Sequence, residues 1–281
     1  MVTRWSMTRR AVVLCAVLTV AASAAWAGSR GDREPPSDAV VLFDGTKASL
    51  ERNWCDKKGR PTKWKYSEEG FFFCDDSWKT GDILTRTAFG DCQLHIEFRH
   101  DPKALSNDSG MRGNSGVFFM GPSGYEVQVL ESYGTSDALR GKDGFFDFYA
   151  DGVAGAVYAE NPPLVNPARK PGEWQVYDII FHPPVWKGRQ LVRRGDVTVF
   201  FNGVLVQDGW EMEGMATYRH RRPLLPHPAK GPIALQDHGS VVQYRNVWCR
   251  PIAARRDAAA VRTKAAATET NATETKEKAT L

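Results

Sequence analysis

The sequence lacks the features that a zinc site, a nucleic-acid surface or a helical bundle requires. Its 281 residues hold only five cysteines, none in a CxxC or paired Cys/His spacing, which removes the common zinc sites. Lysine and arginine are scattered among acids instead of gathering into a basic stripe, so no nucleic-acid footprint is present. No helical period runs through any long segment, which argues against an all-α chain. The longest apolar run, Ala11 to Ala22, is too short and too alanine-rich for a comfortable membrane span.

What that run does fit is an export signal. Arg4, Arg9 and Arg10 precede it, and Ala25-Trp-Ala27 follows as a small-x-small cleavage site. Cleavage is expected after Ala27, with export to the periplasm or beyond the cell and no transmembrane segment left afterwards. Leu14 occupies the place where a small residue would be wanted if Cys15 carried a lipid. Residues 1–27 contain three arginines and no acid, so their removal lowers the formal charge from +4 to +1. Residues 28–39 read as a linker and 40–252 as one large β domain. Residues 253–281, rich in Ala, Thr, Glu and Lys, cannot bury enough surface to offset their ordering entropy and are expected to be disordered.

Four cysteines survive export: Cys55, Cys74, Cys92 and Cys249. In an oxidising compartment disulfides become possible, and Cys55 with Cys74 is the favoured pair because both flank one early loop. Closing such a loop is worth on the order of 3 kcal/mol. The other reading is four inert buried thiols.

Strand signals dominate the domain. Asp91 to Arg99 alternates without a break, with Cys92, Leu94, Ile96 and Phe98 on one face and Gln93, His95 and Glu97 on the other. Residues 175–181, 197–201, 204–207, 232–236 and 241–248 read the same way, and Asn202-Gly203 supplies the two positive-φ residues of a tight hairpin turn. Many short strands with one aromatic-rich face each predict two packed antiparallel sheets. Long connections at 101–113, 132–152 and 210–230 are of the length that is more often functional than idle.

The chemistry-bearing residues cluster in two places. Arg112 to Gly121 reads as a strand, followed by a Gly-Pro-Ser-Gly turn and a second strand, Tyr125-Glu-Val-Gln-Val-Leu-Glu131. Glu126 and Gln128 share a face there, and Glu131 would join them only across a β-bulge. Acids on an apolar strand are costly to bury without a partner, so this is either a site or a solvated face. Near the C-terminus, Gln236 and His238 point the same way if their strand continues, roughly 6 to 7 Å apart. His238 beside Asp237 is a candidate general acid or base, or a loop histidine capping a carbonyl. Arg245, on an apolar strand, needs a ligand oxygen or a carboxylate partner within the sandwich. Trp54, Trp78 and Trp210 stand among polar loop residues and are candidate sugar platforms, whereas Trp174 and Trp248 read as core.

Taken in order, Leu42-Phe-Asp-Gly45, Gly90 to Arg99, Arg112-Gly-Asn-Ser-Gly116, Tyr125 to Glu131, Gly155-Ala-Val-Tyr158, Lys170-Pro-Gly-Glu-Trp174 and Gly231 to Trp248 resemble the 3-keto-disaccharide hydrolase domain family. The resemblance spans about residues 40–250, with Glu131 standing where that pattern often has Asp. It implies a concanavalin- and laminarinase-like jelly-roll β-sandwich with a carbohydrate groove, and a substrate glycoside already oxidised to a ketone at C3. Such a ketone acidifies the C2 proton, so a base can form an enolate, C1–O can break, and water can add back. His238 or Glu126 would be the base, and Glu131 the acid or a metal ligand. Asn114, Gln128 and Gln236 would orient hydroxyls, Trp210 would support a ring, and Arg245 or a divalent cation would stabilise the enolate oxygen. Two other readings stand beside this one. Glu126-x-Gln128-x-x-Glu131 is similar to the acidic strand of laminarinase-like retaining glycosidases, and the same sandwich also serves as a non-catalytic carbohydrate-binding module.

Overall fold

The computed structural model describes residues 34–75, 77–105, 112–135 and 150–252. The expected signal segment at 1–27 and the tail from 253 lie outside the described residues, as do parts of the linker and of the loops at 101–113 and 132–152.

Alternation of apolar and polar side chains builds two antiparallel sheets. The larger contains β1 (Val40–Phe43), β3 (Lys65–Ser67), β4 (Phe71–Phe73), β6 (Cys92–His100), β9 (Gln175–His182), β12 (Asp196–Phe201), β13 (Val204–Glu211) and β17 (Val242–Pro251). Its order is β13-β12-β9-β6-β17-β4-β3, with β1 also paired to β17. The smaller contains β2 (Trp54–Asp56), β5 (Ile83–Phe89), β7 (Ser115–Phe119), β8 (Tyr125–Val129) and β16 (Gly231–Leu235), in the order β2-β5-β16-β7-β8. Two hairpins stand apart, β10 (Val185–Lys187) with β11 (Gln190–Arg193) and β14 (Gly214–Thr217) with β15 (His220–Pro223). The result is a jelly-roll sandwich, nearly all β. The Asn202-Gly203 turn joins β12 to β13, with φ of 52° and 81°.

Between the sheets the core is aromatic. Phe119 of β7 stacks on Phe181 of β9 at 4.3 Å, and Phe98, Tyr177 and Phe201 form a second group in the larger sheet. Fully burying one such ring is worth about 1.5–3 kcal/mol. Two buried hydroxyls cross the same space. Tyr244 of β17 donates to Ser115 Oγ on β7 (2.8 Å), and Ser115 Oγ donates to the Gln236 carbonyl (2.7 Å). Tyr177 of β9 donates to the Gln128 carbonyl on β8 (2.7 Å). Trp54 also belongs to this core, fully buried with its indole nitrogen donating to the Leu42 carbonyl, so it is not a surface platform.

Several expectations are corrected here. All four cysteines are free and buried. Cys55 lies in β2 of the smaller sheet, facing the Leu84 carbonyl, while Cys74 follows β4 of the larger sheet and donates to the Ser240 carbonyl. Flanking one loop in sequence therefore put them in different sheets. No bulge interrupts β8, whose register with β7 runs evenly from Ser115↔Val129 to Phe119↔Tyr125. The bulge is in β17, between Arg245 and Trp248, with Asn246 at φ 45°. Arg245, alternating with the inward-facing Tyr244, lies before it on the outer face of the larger sheet, and the bulge adds Asn246 to that face. There the Arg245 Nε meets Glu97 Oε2 at 2.6 Å, and its guanidinium lies 4.1 Å from the Trp174 ring. Trp174 is thus half-buried and bracketed by Arg245 and Arg99 instead of lying in the core.

Glu97 is the centre of that outer cluster. Burial pushes its carboxyl up, but hydrogen bonds from His95, Asn246 and Arg245 outweigh burial and hold it below its usual value. Removing Arg245 leaves a buried carboxylate short of its cation. Arg245→Ala is expected to cost about 3 kcal/mol in urea unfolding, the range for breaking a buried pair, while leaving sugar binding per folded molecule unchanged. Loss of binding with unaltered stability would put Arg245 back at the ligand.

Candidate functional site

Chain geometry at β7, β8 and β16 assembles the site on the outer face of the smaller sheet. Ser115, Val117 and Phe119 point inward, so Asn114, Gly116 and Phe118 face out. Opposite Gly116 and Phe118 stand Gln128 and Glu126. A Cβ at Gly116 would lie 2.4 Å from Glu126 Oε1, so glycine is what allows that carboxyl to fold over β7. On the other side, the Gln236 backbone nitrogen donates to the Gly116 carbonyl, continuing the row although β16 ends at Leu235. Gln236 and His238 both reach the groove, as their spacing suggested.

The groove encloses about 290 Å³. Its floor is Asn114, Phe118, Glu126, Gln128, Gln236 and His238, and its walls bring in Tyr158, Thr217, Tyr218 and Arg222. Tyr158 is placed by the segment that pairs with the free edge of β8, where its backbone nitrogen donates to the Glu126 carbonyl. Arg222 comes from β15 and donates through Nη2 to the Ser123 carbonyl, while its buried Nε has no hydrogen-bond partner among the described residues.

Burial tunes the two titratable floor residues in opposite senses. Glu126 is buried with no hydrogen bond to its carboxyl among the described residues, and burial, aided by the Asp82 charge, pushes its pKa up to about 8. Burial also holds the His238 imidazole below its ordinary value, and its Nδ1 has no hydrogen-bond partner among the described residues. Asp237 does not serve His238. Its carboxylate accepts from Thr80 Oγ1 (2.6 Å), the Gly81 nitrogen (2.7 Å) and the Gly239 nitrogen (3.1 Å). Near neutral pH the groove therefore holds a protonated acid, an uncharged imidazole and one guanidinium.

Three of the sequence candidates lie elsewhere. Glu131 follows β8 and is ion-paired with Arg112 at 2.8 Å, outside the groove lining, because the strand ends before it without a bulge. Arg245 is on the opposite sheet. Trp210, half-buried in β13, donates to Glu160 Oε2 at 3.1 Å. Tyr158, Tyr218 and Arg222 are among the lining residues not singled out from sequence. Only the position of Tyr158 in the Gly155-Ala-Val-Tyr motif gave a signal. Among the described residues no three His, Cys, Asp or Glu side chains gather to hold a metal, so a divalent cation, the alternative to Arg245, would find Glu126, His238 and neutral amide oxygens in the groove.

A β-sandwich with a polar, aromatic-walled groove on one sheet belongs among carbohydrate-acting domains. More particularly, the chain belongs to the 3-keto-alpha-glucoside-1,2-lyase-like domain family, whose profile it matches over residues 38–250. It is similar to a protein of known structure from Parabacteroides distasonis assigned as a glycosyl hydrolase. The two are 37% identical with a TM-score of 0.66, over 77% of this chain and 85% of that one. A second such protein from the same organism is 19% identical with a TM-score of 0.53, over 77% and 94%, a likeness of fold alone. Among curated proteins none matches the chain.

The raised Glu126 pKa makes a stability prediction. The folded state keeps a proton that the unfolded chain, with a value near 4.5, releases. Folding thus loses stability as pH rises from 4.5 to about 8. Glu126→Gln removes that loss. Its Tm relative to the parent should climb across this window and level off above it, by several degrees in a calorimetric scan. A gap that does not change with pH would show that Glu126 titrates normally.

Proposed function

We propose that this chain is an exported enzyme, periplasmic or extracellular, that cleaves 3-keto-glycosides by elimination and rehydration. The carrying observation is the pair Glu126 and His238, two groups in one groove whose burial pushes their pKa values apart. Opposite displacement of that kind marks acid and base. The family's lyase-like character supports the elimination chemistry.

In this reading the neutral imidazole of His238 takes the C2 proton of the keto sugar. The C2–H electrons form the enolate, with negative charge on the C3 oxygen. Arg222 and the amides of Asn114, Gln128 and Gln236 receive that charge. Collapse of the enolate expels the C1 oxygen, which leaves as an alcohol by taking the Glu126 proton. His238 then returns its proton to C2 as water adds at C1, giving a 3-keto sugar and the free aglycone and restoring Glu126 through the water's second proton. Neither step needs a second carboxylate. A retaining glycosidase requires two about 5–5.5 Å apart, whereas Glu126 is the one carboxyl among the described lining residues and Glu131 is held by Arg112.

The test is turnover of a chromogenic 3-keto-glucoside beside its unoxidised parent, with and without a chelator. Release is expected from the keto form only. The kcat/KM profile should be a bell with its alkaline limb near pH 8, from Glu126, and its acid limb below 6.5, from His238. His238→Ala and Glu126→Gln should each lower kcat about 10²–10⁴-fold. Activity that keeps climbing through pH 8 would show that protonated Glu126 is not the acid. Sugar binding without turnover of either substrate would make the domain a binding module.

A further inference from the structure

Trp78 stands out among the described residues for reasons the groove chemistry does not use. It is a 58% exposed indole, in the left-handed backbone region at φ 59°, where a bulky residue is strained. Its ring lies 4.8 Å from the His238 ring. The chain makes room for it: Gly239, at φ 73°, passes so close that a Cβ there would fall 2.0 Å from the Trp78 indole nitrogen. The segment carrying it is anchored on both sides. Asp75 accepts from the Ser77 backbone and side chain and pairs with Lys65 at 3.3 Å. Thr80 and Gly81 donate to Asp237, and Trp64 Nε1 donates to the Gly81 carbonyl at 2.8 Å. Asp237 and Gly239 flank His238, so one set of bonds fixes both the imidazole and the indole over it.

A large apolar ring held strained and exposed beside a groove has no folding advantage, since its face remains in water. Such a face does fit the apolar side of a pyranose or aryl ring. We infer that Trp78 is the platform of a leaving-group subsite, binding the ring attached at C1 of the substrate. The inference rests on the proposed role of His238. C1 neighbours C2, so the substituent on C1 emerges beside the imidazole that takes the C2 proton, which is where the indole lies. Trp78 is then a determinant of leaving-group specificity, selecting glycosides whose aglycone is itself a ring.

The experiment compares Trp78→Ala and Trp78→Tyr in the full chain, using a 3-keto-disaccharide and methyl 3-keto-glucoside. Trp78→Ala should raise KM for the disaccharide about tenfold, leave kcat and the pH profile in place, and leave the methyl glycoside unaffected. Trp78→Tyr should restore the disaccharide. Equal losses on both substrates would show a structural role acting through His238 and overturn the inference, as would no loss on either. Calorimetric binding of an unoxidised disaccharide and of methyl glucoside separates this from failure of the keto reading. If neither keto sugar is turned over, a disaccharide preference that disappears in Trp78→Ala still supports the subsite. Equal affinities in parent and variant, or no disaccharide binding at all, overturn it.

Discussion

The site depends on two buried hydroxyls that cross the sandwich. Tyr244 reaches Ser115, which reaches the Gln236 carbonyl, and Tyr177 reaches the Gln128 carbonyl. Each tyrosine thereby ties a strand of the larger sheet, directly or through Ser115, to the backbone carbonyl of a residue whose side chain faces the groove. Burial pushes both phenols well above their ordinary pKa, so they remain donors across the range in which the protein is folded. A groove built on three adjacent strands would otherwise drift with any sliding of one sheet over the other. A hydrogen bond in the core adds a directional constraint to the close packing that already resists such slides.

On that frame the protein treats its buried carboxylates in two ways. Glu97 receives hydrogen bonds from three side chains, and Asp237 from a hydroxyl and two backbone amides. Glu126 has the burial without such partners among the described residues. Desolvation acts on each of these groups, and what differs is compensation. An unpaired buried acid is a standing cost to the fold. It persists at the place where Gly116 has been kept free of a side chain to admit it, which gives Glu126 the mark of a group retained for its chemistry.

Much of the fold was legible because a strand's period of two is a strong signal. The inward row of β6, the Asn202-Gly203 turn and the strand–turn–strand of β7 and β8 all follow from local spacing, and so does the shared face of Glu126 and Gln128. What failed were inferences that needed one extra fact about the third dimension. Arg245 was misplaced because only its neighbour Tyr244, which reaches inward to Ser115, shows which face of β17 is the outer one, and the carboxylate that Arg245 pairs with is Glu97 on that face. Cys55 and Cys74 were paired by nearness in sequence, yet β2 and β4 belong to different sheets. Arg222 was missed because β14 and β15 lack alternation, and their hairpin owes its position to contacts made elsewhere.

Those contacts explain Trp210. Its indole nitrogen and the backbone nitrogens of Glu213 and Gly214 converge on the Glu160 carboxylate, two residues beyond Tyr158. One carboxylate therefore joins the wall carrying Tyr158 to the base of the β14–β15 hairpin. Along the flank of the hairpin, the Ala216 nitrogen donates to the Gly124 carbonyl and Arg222 donates to that of Ser123, both in the turn between β7 and β8. The hairpin is thus pinned at its base by an acid and at its flank by the turn of the site's own strands. A tryptophan read from sequence as a sugar platform instead holds the frame on which Arg222 reaches the groove. A guanidinium fixed in this way needs little reorganisation when charge develops beside it, and that is the condition under which a positive group stabilises an enolate.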